Sequence, residues 1–519
     1  MKINYAKLYQ KFQQGCMVFG RGLVLALSGT ANVLDDLNSL LAKEEYKQAE
    51  FGKETSIGTW FEKGFRISKS RRQALKKSFE NVILYGQIGS GKTTRYILPI
   101  IYDISKQKCS AVITDQAQEI HPLTSGHANS QGKEVLILNY LNSDISIKIN
   151  FLLYCKGSYS KVKQLSNVLV KASNKGAKSD PFWQSQSKIV LSVFMWMVLQ
   201  LKDPKLHHMG EVCRLIDLFS AQNFDELDQL IVDINDEKLQ TDYAKLLAMP
   251  EKTRQNVMAS VDAIVEIFAD PEIRKVVSAS EEENFDFDRL RDTETFLYIQ
   301  NSIGQQAYLE VLTSCFYQLL FSHLLENPVR DEQLDLFMIY EEFSSMYIPM
   351  LPRFLANNRK ARIANFLCLQ SISQLNHYGH DKLNITSNCV TQIILPGDHP
   401  MDFLREIEQK SGKRKLKDKE GNVHVTPLVS ASEFRMWEAN SALAIQGGKK
   451  YVKVKPEPYY RSLKYRSLAA IEPYFPERRI AIDLECDEAI DTVEALPAES
   501  DDRVQNDPEL IFKFDENEE

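Results

Sequence analysis

Short apolar runs alternate with longer helical patterns in the first third of the chain. The runs NVILY at 81–85, SAVIT at 110–114 and EVLIL at 134–138 are rich in β-branched residues and contain few polar positions. Runs of this length are typical of strands that are buried on both faces, and the segments between them have helical periodicity. This alternation of strand and helix predicts a parallel α/β sheet.

The pattern changes to purely helical periodicity between about residues 156 and 284. Strand patterns then return at five places, namely Phe296–Gln300, Leu336–Tyr340, Asn365–Leu369, Thr391–Leu395 and Ala442–Ile445. We therefore predict one α/β domain built from residues 79–155 and 285–482, interrupted by an all-α domain at residues 156–284.

The two ends of the chain differ from the middle in composition. Residues 1–78 have helical, polar patterns and end in a basic run, Lys63–Lys77, with seven Lys or Arg. Residues 483–519 hold 15 Asp or Glu against Arg503 and Lys513, which predicts a disordered acidic tail. Because the whole chain carries only −7, the part before residue 483 is net basic, which favours an anionic ligand for that part.

Cysteine, histidine and hydropathy patterns exclude several classes of protein. The eight cysteines form no CxxC pair, and the nine histidines form no HExxH or zinc-finger spacing. These patterns favour reduced thiols and no structural metal. The uncharged run Ile189–Leu201 has 13 residues, whereas a membrane span needs about 20. We therefore expect a cytoplasmic protein with no direct membrane span.

A phosphate-binding loop is the strongest chemical motif. The sequence GQIGSGKT matches G-x-x-x-x-G-K-[ST], with a predicted strand before it and a helix after it. Glycines let the backbone turn tightly and aim N–H groups at phosphates, the lysine reaches the β- and γ-phosphates, and the threonine hydroxyl ligates Mg²⁺. The alternative is a Gly-rich turn that binds no ligand, but such a turn would not need a strand before it and a helix after it. The predicted ATP-binding residues are Gly86, Gly89, Ser90, Gly91, Lys92, Thr93 and Thr94.

An acidic pair follows a predicted buried strand at Leu336–Tyr340. Glu341 and Glu342 emerge at the carboxyl end of this strand, where open α/β sheets place ligands. We expect Glu342 to polarise the attacking water and Glu341 to hold Mg²⁺ together with Thr93. The alternative is a solvated strand end that carries two charges.

Three further features suggest contacts with phosphates. Gln370 ends a predicted strand, where it could sense the γ-phosphate, and Arg359 could reach the ATP of a neighbouring subunit. The basic stretches Lys63–Lys77 and Lys410–Lys419 could bind DNA without sequence preference. The alternative is that Arg359 and both stretches are ordinary solvated surface.

The order of these motifs resembles the TraG/TraD family of type IV secretion coupling proteins, which are conjugative DNA-transfer ATPases. The resemblance extends over about residues 80–465. It rests on GQIGSGKTT, VITDQAQEI, INFL, DPFW, IYEEF, NRKARIANFLCLQSISQL and YYR, in that order.

The resemblance implies a RecA-like P-loop NTPase that assembles as a homo-hexameric ring, with an inserted all-α domain that recruits substrate. By position, Lys92 and Thr93 match the nucleotide-binding pair, Glu342 the catalytic glutamate, Arg359 the arginine finger and Gln370 the sensor. The implied cofactors are ATP and Mg²⁺. The implied partners are DNA, relaxase or relaxosome proteins and type IV secretion channel subunits.

The chain departs from the family pattern in two respects. Glu341 stands where the family usually has Asp, and its longer side chain must fit the tight octahedral geometry of Mg²⁺. The family's N-terminal transmembrane hairpin has no counterpart in Met1–Leu41, which mixes apolar with charged residues. We therefore expect a cytoplasmic protein that partners hold at the inner membrane.

Two other functions remain open beside that of an ATP-driven coupling protein. One is a soluble hexameric DNA translocase that works outside secretion. The other is a recruitment hub that binds nucleotide but hydrolyses it weakly, given Glu341. The identity of the substrate and the direction of translocation stay undetermined by the residues alone.

Overall fold

The computed structural model of the chain describes residues 48–173, 180–301, 303–343, 346–417 and 423–476. The predictions for Met1–Leu41 and for the acidic tail at 483–519 lie outside these residues.

A central sheet forms wherever the sequence predicted a buried strand. Among the described residues it has nine strands. They are β1 (Val82–Tyr85), β2 (Cys109–Asp115), β3 (Glu134–Asn139), β4 (Thr295–Gln300), β5 (Asp335–Tyr340), β6 (Ile363–Leu369), β7 (Thr391–Ile394), β10 (Ala442–Gln446) and β11 (Val452–Val454). A separate hairpin consists of β8 (Lys413–Lys417) and β9 (Val423–Pro427).

The strand order is β11-β10-β7-β1-β6-β5-β2-β4-β3. Strand β1 lies between β6 and β7 and runs parallel to both, with Val82 opposite Phe366 and Thr391. Strand β5 lies between β6 and β2, also in parallel. The segments that follow β1, β5 and β6 therefore leave the same edge of the sheet, which we call the carboxyl edge.

Two details of the sheet differ from the prediction. Strands β10 and β11 are antiparallel to their neighbours, so the sheet is mixed rather than wholly parallel. The β8–β9 hairpin and β11 were not predicted. The sequence of β8 is KRKLK, which lacks an apolar face, and β11 has only three residues. Apolar runs cannot identify such strands.

The helices fill both faces of the sheet and the interval between β3 and β4. In chain order they are α1 (Leu75–Ser78), α2 (Leu98–Ile104), α3 (Ile120–Ser130), α4 (Tyr159–Ser173), α5 (Pro181–Leu199), α6 (Met209–Ser220), α7 (Phe224–Ile234), α8 (Glu237–Leu247), α9 (Glu251–Val265), α10 (Pro271–Val277), α11 (Arg289–Asp292), α12 (Gln306–Glu326), α13 (Leu351–Asn357), α14 (Asp381–Ser387), α15 (Met401–Ser411), α16 (Ala431–Arg435) and α17 (Leu463–Ala469). Helices α4 to α10 occupy the interval predicted to be all-α, and its limits as a domain stay a prediction.

The core explains why the strands appear as continuous apolar runs. In β1, Ile83 and Tyr85 pack into one hydrophobic cluster, and Val82 and Leu84 pack into the other. Both faces of the strand are thus covered, and all four residues are buried. Each fully buried aliphatic side chain of this kind stabilises the fold by about 1.5–3 kcal/mol. No helix in the described part of the chain is long and apolar enough to cross a membrane.

Candidate nucleotide-binding site

The phosphate-binding loop leaves β1 at the carboxyl edge, as predicted. Gly89 and Gly91 have positive φ angles of 74° and 82°, which other residues adopt only with strain. A Cβ added to Gly86 would lie 2.6 Å from Ser90 Oγ and 2.8 Å from Leu395. The loop conformation therefore favours glycine at Gly89 and Gly91, and the side chains of Ser90 and Leu395 leave little room for a Cβ at Gly86.

The lysine and one hydroxyl group of the loop donate to main-chain carbonyl groups of the loop. Lys92 Nζ donates to Gly86 O at 2.8 Å, so its ammonium lies at the loop itself. Thr94 Oγ1 donates to Gly91 O at 3.4 Å. Ser90 Oγ is buried and has no hydrogen-bond partner among the described residues. The chain then continues through a π-helical turn, Thr93–Ile97, into α2, so a helix begins at the loop.

Glu341 lies directly against the loop. Thr93 Oγ1 donates to Glu341 Oε1 at 3.1 Å, and the Glu341 N–H donates to Thr114 Oγ1 at 2.9 Å. The second carboxylate oxygen, Oε2, is buried and has no hydrogen-bond partner in the described part of the chain. Burial, followed by the negative charge of Asp115, raises the pKa of Glu341 to about 7.

The residues around Glu341 fit Mg²⁺ bound together with a nucleotide. Thr93 and Glu341 present hard oxygen donors side by side, and one carboxylate oxygen lacks a partner. Mg²⁺ in such sites takes one or two protein ligands and completes its shell with waters and phosphate oxygens. In the described residues no group of three or more His, Cys, Asp or Glu could hold a metal alone. The donor set is therefore one for a metal that arrives with phosphates.

Asp115 is a buried carboxylate that the sequence analysis did not select. It ends β2 and accepts hydrogen bonds from the N–H groups of Ile120 at 2.9 Å and His121 at 2.8 Å, at the start of α3. Burial raises its pKa above the usual range for Asp. A signal for this residue existed in the sequence, because an Asp ends the apolar run that forms β2. The structure adds that β2 lies next to β5, which leads to Glu341.

Glu342 is held by two glutamines from the segment after β6. Gln370 Nε2 donates to Glu342 Oε2 at 2.9 Å, so the predicted catalytic residue and the predicted sensor are in contact. Gln374 Nε2 donates to the other oxygen, Oε1, at 3.3 Å. Gln374 was not predicted, since nothing in its local pattern distinguishes it from an ordinary turn residue.

Arg359 lies at the other edge of the sheet. It precedes β6, whereas Gln370 follows it, and a seven-residue strand is about 23 Å long. Its side chain is 69% exposed, and Nη1 is 3.4 Å from Glu80 Oε1. The preceding residue, Asn358, is fully buried and donates to Phe79 O at 3.2 Å and Ile363 O at 2.6 Å. The structure therefore does not bring Arg359 to the loop of its own chain.

An open cleft adjoins the loop. It has a volume of about 580 Å³ and lies between Gln87–Ile88, Gln370–Ser371 and Asp398–Pro400. Gln87 bonds in both directions to the main chain of Asp398, which attaches the loop to the segment after β7. Ile88 is 82% exposed at the mouth of the cleft. The volume is within the range of small-molecule sites.

The basic run Lys63–Lys77 is largely engaged within the fold. Arg66 and Arg72 both form ion pairs with Asp103, at 2.7 and 2.8 Å. Burial opposes ionisation of Asp103, but the hydrogen bond from Arg72 and the two positive charges lower its pKa below the usual range. Lys69 and Lys77 have acidic partners as well. Four of the seven cations of this run therefore have an acidic partner within the fold.

The second basic stretch, Lys410–Lys419, contains the hairpin strand β8. Lys413 and Lys415 are exposed, while Lys410 pairs with Glu406 at 2.5 Å and Arg414 lies 3.6 Å from Glu433. Alternate lysines of one strand thus face solvent on the same side of the hairpin.

Comparison with known proteins identifies a family and a fold. The profile of the family described as Type IV secretory system Conjugative DNA transfer matches residues 32–432. No curated protein matches the sequence. The bacterial conjugative coupling protein TrwBdeltaN70, solved with sulphate, is similar in structure, with a TM-score of 0.63, 15% identity and coverage of 82% of this chain and 97% of that one.

Two further structures of TrwB show the same likeness. The plasmid coupling protein TrwB with the non-hydrolysable GTP analogue GDPNP has a TM-score of 0.63, 16% identity and coverage of 79% and 94% of the two chains. TrwB with ADP and Mg²⁺ has a TM-score of 0.62, 16% identity and coverage of 84% and 96%. At these identities the likeness shows a shared RecA-like fold.

Proposed function

Since the chain belongs to the family of type IV secretory system conjugative DNA transfer proteins, and thus has a coupling role in that transfer, we propose that it drives the process by hydrolysing ATP. The observation that carries the proposal is the carboxyl edge of the sheet. There the P-loop lysine, the Thr93–Glu341 contact and the Glu342–Gln370 contact come together. TrwB, which has the same fold, has been solved with ADP and Mg²⁺.

Each residue of this edge has a distinct task. The loop N–H groups and Lys92 bind the phosphates, and Thr93 with Glu341 holds Mg²⁺, which neutralises phosphate charge when it is bound. Glu342 orients and polarises the attacking water. Gln370, whose amide contacts Glu342, detects the γ-phosphate from the end of β6.

The ring implied by the family gives Arg359 its role. The exposed Arg359 guanidinium, about 23 Å along β6 from the site of its own chain, acts in this proposal on the ATP of a second copy. There it stabilises the negative charge that develops in the transition state. A homo-hexamer would place such a subunit boundary at every ATP.

We assign the remaining partners from the family and from charge. Relaxase-bound DNA or protein substrates are recruited through the helical part of the chain, and channel subunits hold the ring at the inner membrane. Exposed cations such as Lys413 and Lys415 contact DNA phosphates without reading sequence.

The ATPase rate of the purified chain, measured across protein concentration with and without single- and double-stranded DNA, tests the proposal. We expect turnover that DNA stimulates and that rises more steeply than linearly with concentration. Lys92→Ala serves as the inactive control. Retrieval of relaxase or channel subunits on the tagged protein distinguishes a coupling protein from a DNA translocase outside secretion. Absence of ATP turnover under all of these conditions would refute the proposal that ATP hydrolysis drives the transfer.

One observation favours a second candidate, a recruitment hub that binds nucleotide and hydrolyses it weakly. Glu341 is longer than the usual Asp by one methylene, and its carboxylate beside Thr93 must still meet the tight octahedral geometry of Mg²⁺. Nucleotide binding without DNA-stimulated turnover, together with retained binding of relaxase, would favour the hub.

A further inference from the structure

The Gln374 side chain joins two parts of the candidate site. It lies in the 3₁₀ turn Ile372–Tyr378, directly after β6. Its Oε1 accepts the N–H groups of Gln370 at 2.7 Å and Ser371 at 3.2 Å. Its Nε2 donates to Glu342 Oε1 at 3.3 Å. One amide therefore connects the main chain of the sensor Gln370 to the carboxylate of Glu342.

The orientation of this amide is determined by its partners. Two main-chain N–H groups can bond only to an acceptor, so the oxygen of Gln374 must face them. The NH₂ group is then directed at Glu342. Ser371 caps the same turn, where its Oγ accepts the Ser373 N–H at 3.3 Å, and its own N–H donates to Gln374 Oε1 as part of a capping box. Such a box stabilises both of its side chains in one conformation.

Both oxygens of the Glu342 carboxylate therefore accept a hydrogen bond from a glutamine side chain. Gln370 donates to Oε2 and Gln374 donates to Oε1, so rotation of the carboxyl group would break both hydrogen bonds. A group that polarises water must be held close to its reactive position, because a displacement of 1 Å can lower a rate by about 100-fold.

We propose that Gln374 is a positioning residue for ATP hydrolysis. Its amide fixes the orientation of the Glu342 carboxylate and links this carboxylate by hydrogen bonds to the main chain of the sensor Gln370. The inference rests on the proposed ATPase function and adds a residue to that site. Because its amide bridges the two segments, Gln374 also connects any movement of Gln370 at the γ-phosphate to the carboxylate that polarises water.

Gln374→Glu separates the two roles of the side chain. Glu serves a capping box as well as Gln, so the acceptor for the Gln370 and Ser371 N–H groups is retained. The donor to Glu342 is lost, and a second negative charge faces that carboxylate. We expect kcat to fall roughly 10- to 100-fold while ATP affinity, measured by equilibrium binding, stays that of the wild type.

Ser373→Glu is the matched control, because it adds the same charge one residue away at an exposed position. It should leave kcat unchanged. A Gln374→Glu protein with the kcat of the wild type would overturn the inference while leaving the ATPase proposal intact. A wild-type chain without turnover would instead refute the ATPase activity itself.

Thermal unfolding tests the contact independently of activity. Gln374→Glu should lower Tm in the wild-type background, since two carboxylates then face each other. In a Glu342→Gln background it should not lower Tm, because the new carboxylate then accepts from the amide at position 342 and the hydrogen bond is restored with the roles exchanged. Equal changes of Tm in both backgrounds would show that Gln374 does not act through its contact with Glu342 and would overturn the inference.

Discussion

The two edges of the central sheet hold different residues of the proposed ATP site, and they present them in different ways. At the carboxyl edge, side chains that are far apart in sequence bond directly to one another, as Thr93 does to Glu341 and Gln370 to Glu342. At the opposite, amino edge, a buried Asn358 fixes the backbone while the adjacent Arg359 points away from the fold with 69% exposure. At the carboxyl edge the side chains contact one another within the chain, whereas at the amino edge the Arg359 side chain is mostly exposed to solvent.

This difference follows from the parallel arrangement of the strands. All segments that follow β1, β5 and β6 meet at one edge, and all segments that precede them meet at the other, about 23 Å away. A residue before a strand can therefore not join a site built after it in the same chain. Two copies of the chain, placed edge to edge, would complete one site.

The largest expected effect is that of Arg359→Ala, because it removes the contribution of the amino edge. We expect kcat to fall roughly 10³-fold, the lower end of the effect of an arginine finger, with ATP affinity retained. Lys360→Ala, at the exposed neighbouring position, is the control and should retain activity. Mixing Arg359→Ala with Lys92→Ala subunits should restore part of the activity.

Rescue in that mixture is the informative result, since each variant then supplies the edge that the other lacks. A rate that rises linearly with protein concentration, with no rescue, would mean that each chain works alone and that Arg359 is an ordinary surface residue.

The next effect is that of Lys92→Ala at the carboxyl edge. We expect turnover to fall on the order of 10²- to 10³-fold, because one charge opposite the developing phosphate charge is removed. Its hydrogen bonds in the chain are to carbonyl groups of the loop, so Tm should stay close to that of the wild type. ATPase assays measure the loss of turnover, and thermal unfolding of the same preparation shows whether the fold is retained. Wild-type turnover would place the working site elsewhere.

A smaller effect concerns the stability of the carboxyl edge, where the Glu341 carboxylate is buried. The pKa of Glu341 is raised from 4.5 to about 7, so folding favours its protonated form. That contribution is complete below about pH 4.5 and is lost as pH rises through 7. The loss amounts to about 1–3 kcal/mol after allowance for partial exposure.

Glu341→Gln should remove the loss of folding stability that the wild type shows as pH rises through 7. Without nucleotide and Mg²⁺, the variant should be more stable than the wild type above pH 7 and should show a flatter dependence of Tm on pH. Asp335→Asn, at the amino end of the same strand, provides a comparison that leaves the carboxyl edge intact. This prediction is wrong if the Tm of the wild type and the Tm of Glu341→Gln depend on pH in the same way.

The smallest expected effect is that of Glu341→Asp, which introduces the residue usual for the family. Turnover should stay within a few-fold of the wild type or rise, because the Mg²⁺ ligand retains its charge and only its reach changes. Titration of activity with Mg²⁺ measures the change. A large loss would show that the segment after β5 has adapted to the longer side chain.

Much of the carboxyl edge could be predicted from local patterns. The apolar runs located β1 to β7 and β10, because strands covered on both faces must be apolar along their whole length. The glycines and lysine of the loop were predictable for the same local reason, since only certain residues permit that turn. Local patterns failed for β8, whose strand KRKLK has no apolar face, and for the antiparallel direction of β10.

The sequence by itself determined which residues can bind phosphate and metal, because the chemistry of Lys92, Thr93 and Glu341 belongs to their side chains and to the short motifs around them. The tertiary structure decided which of them meet. The order of the strands brought Glu342 to Gln370 and Gln374, placed Asp115 beside β5, and put Arg359 at the opposite edge. Strand order arises from long-range packing of apolar faces, which have nearly the same composition in every strand, and so no local pattern specifies it.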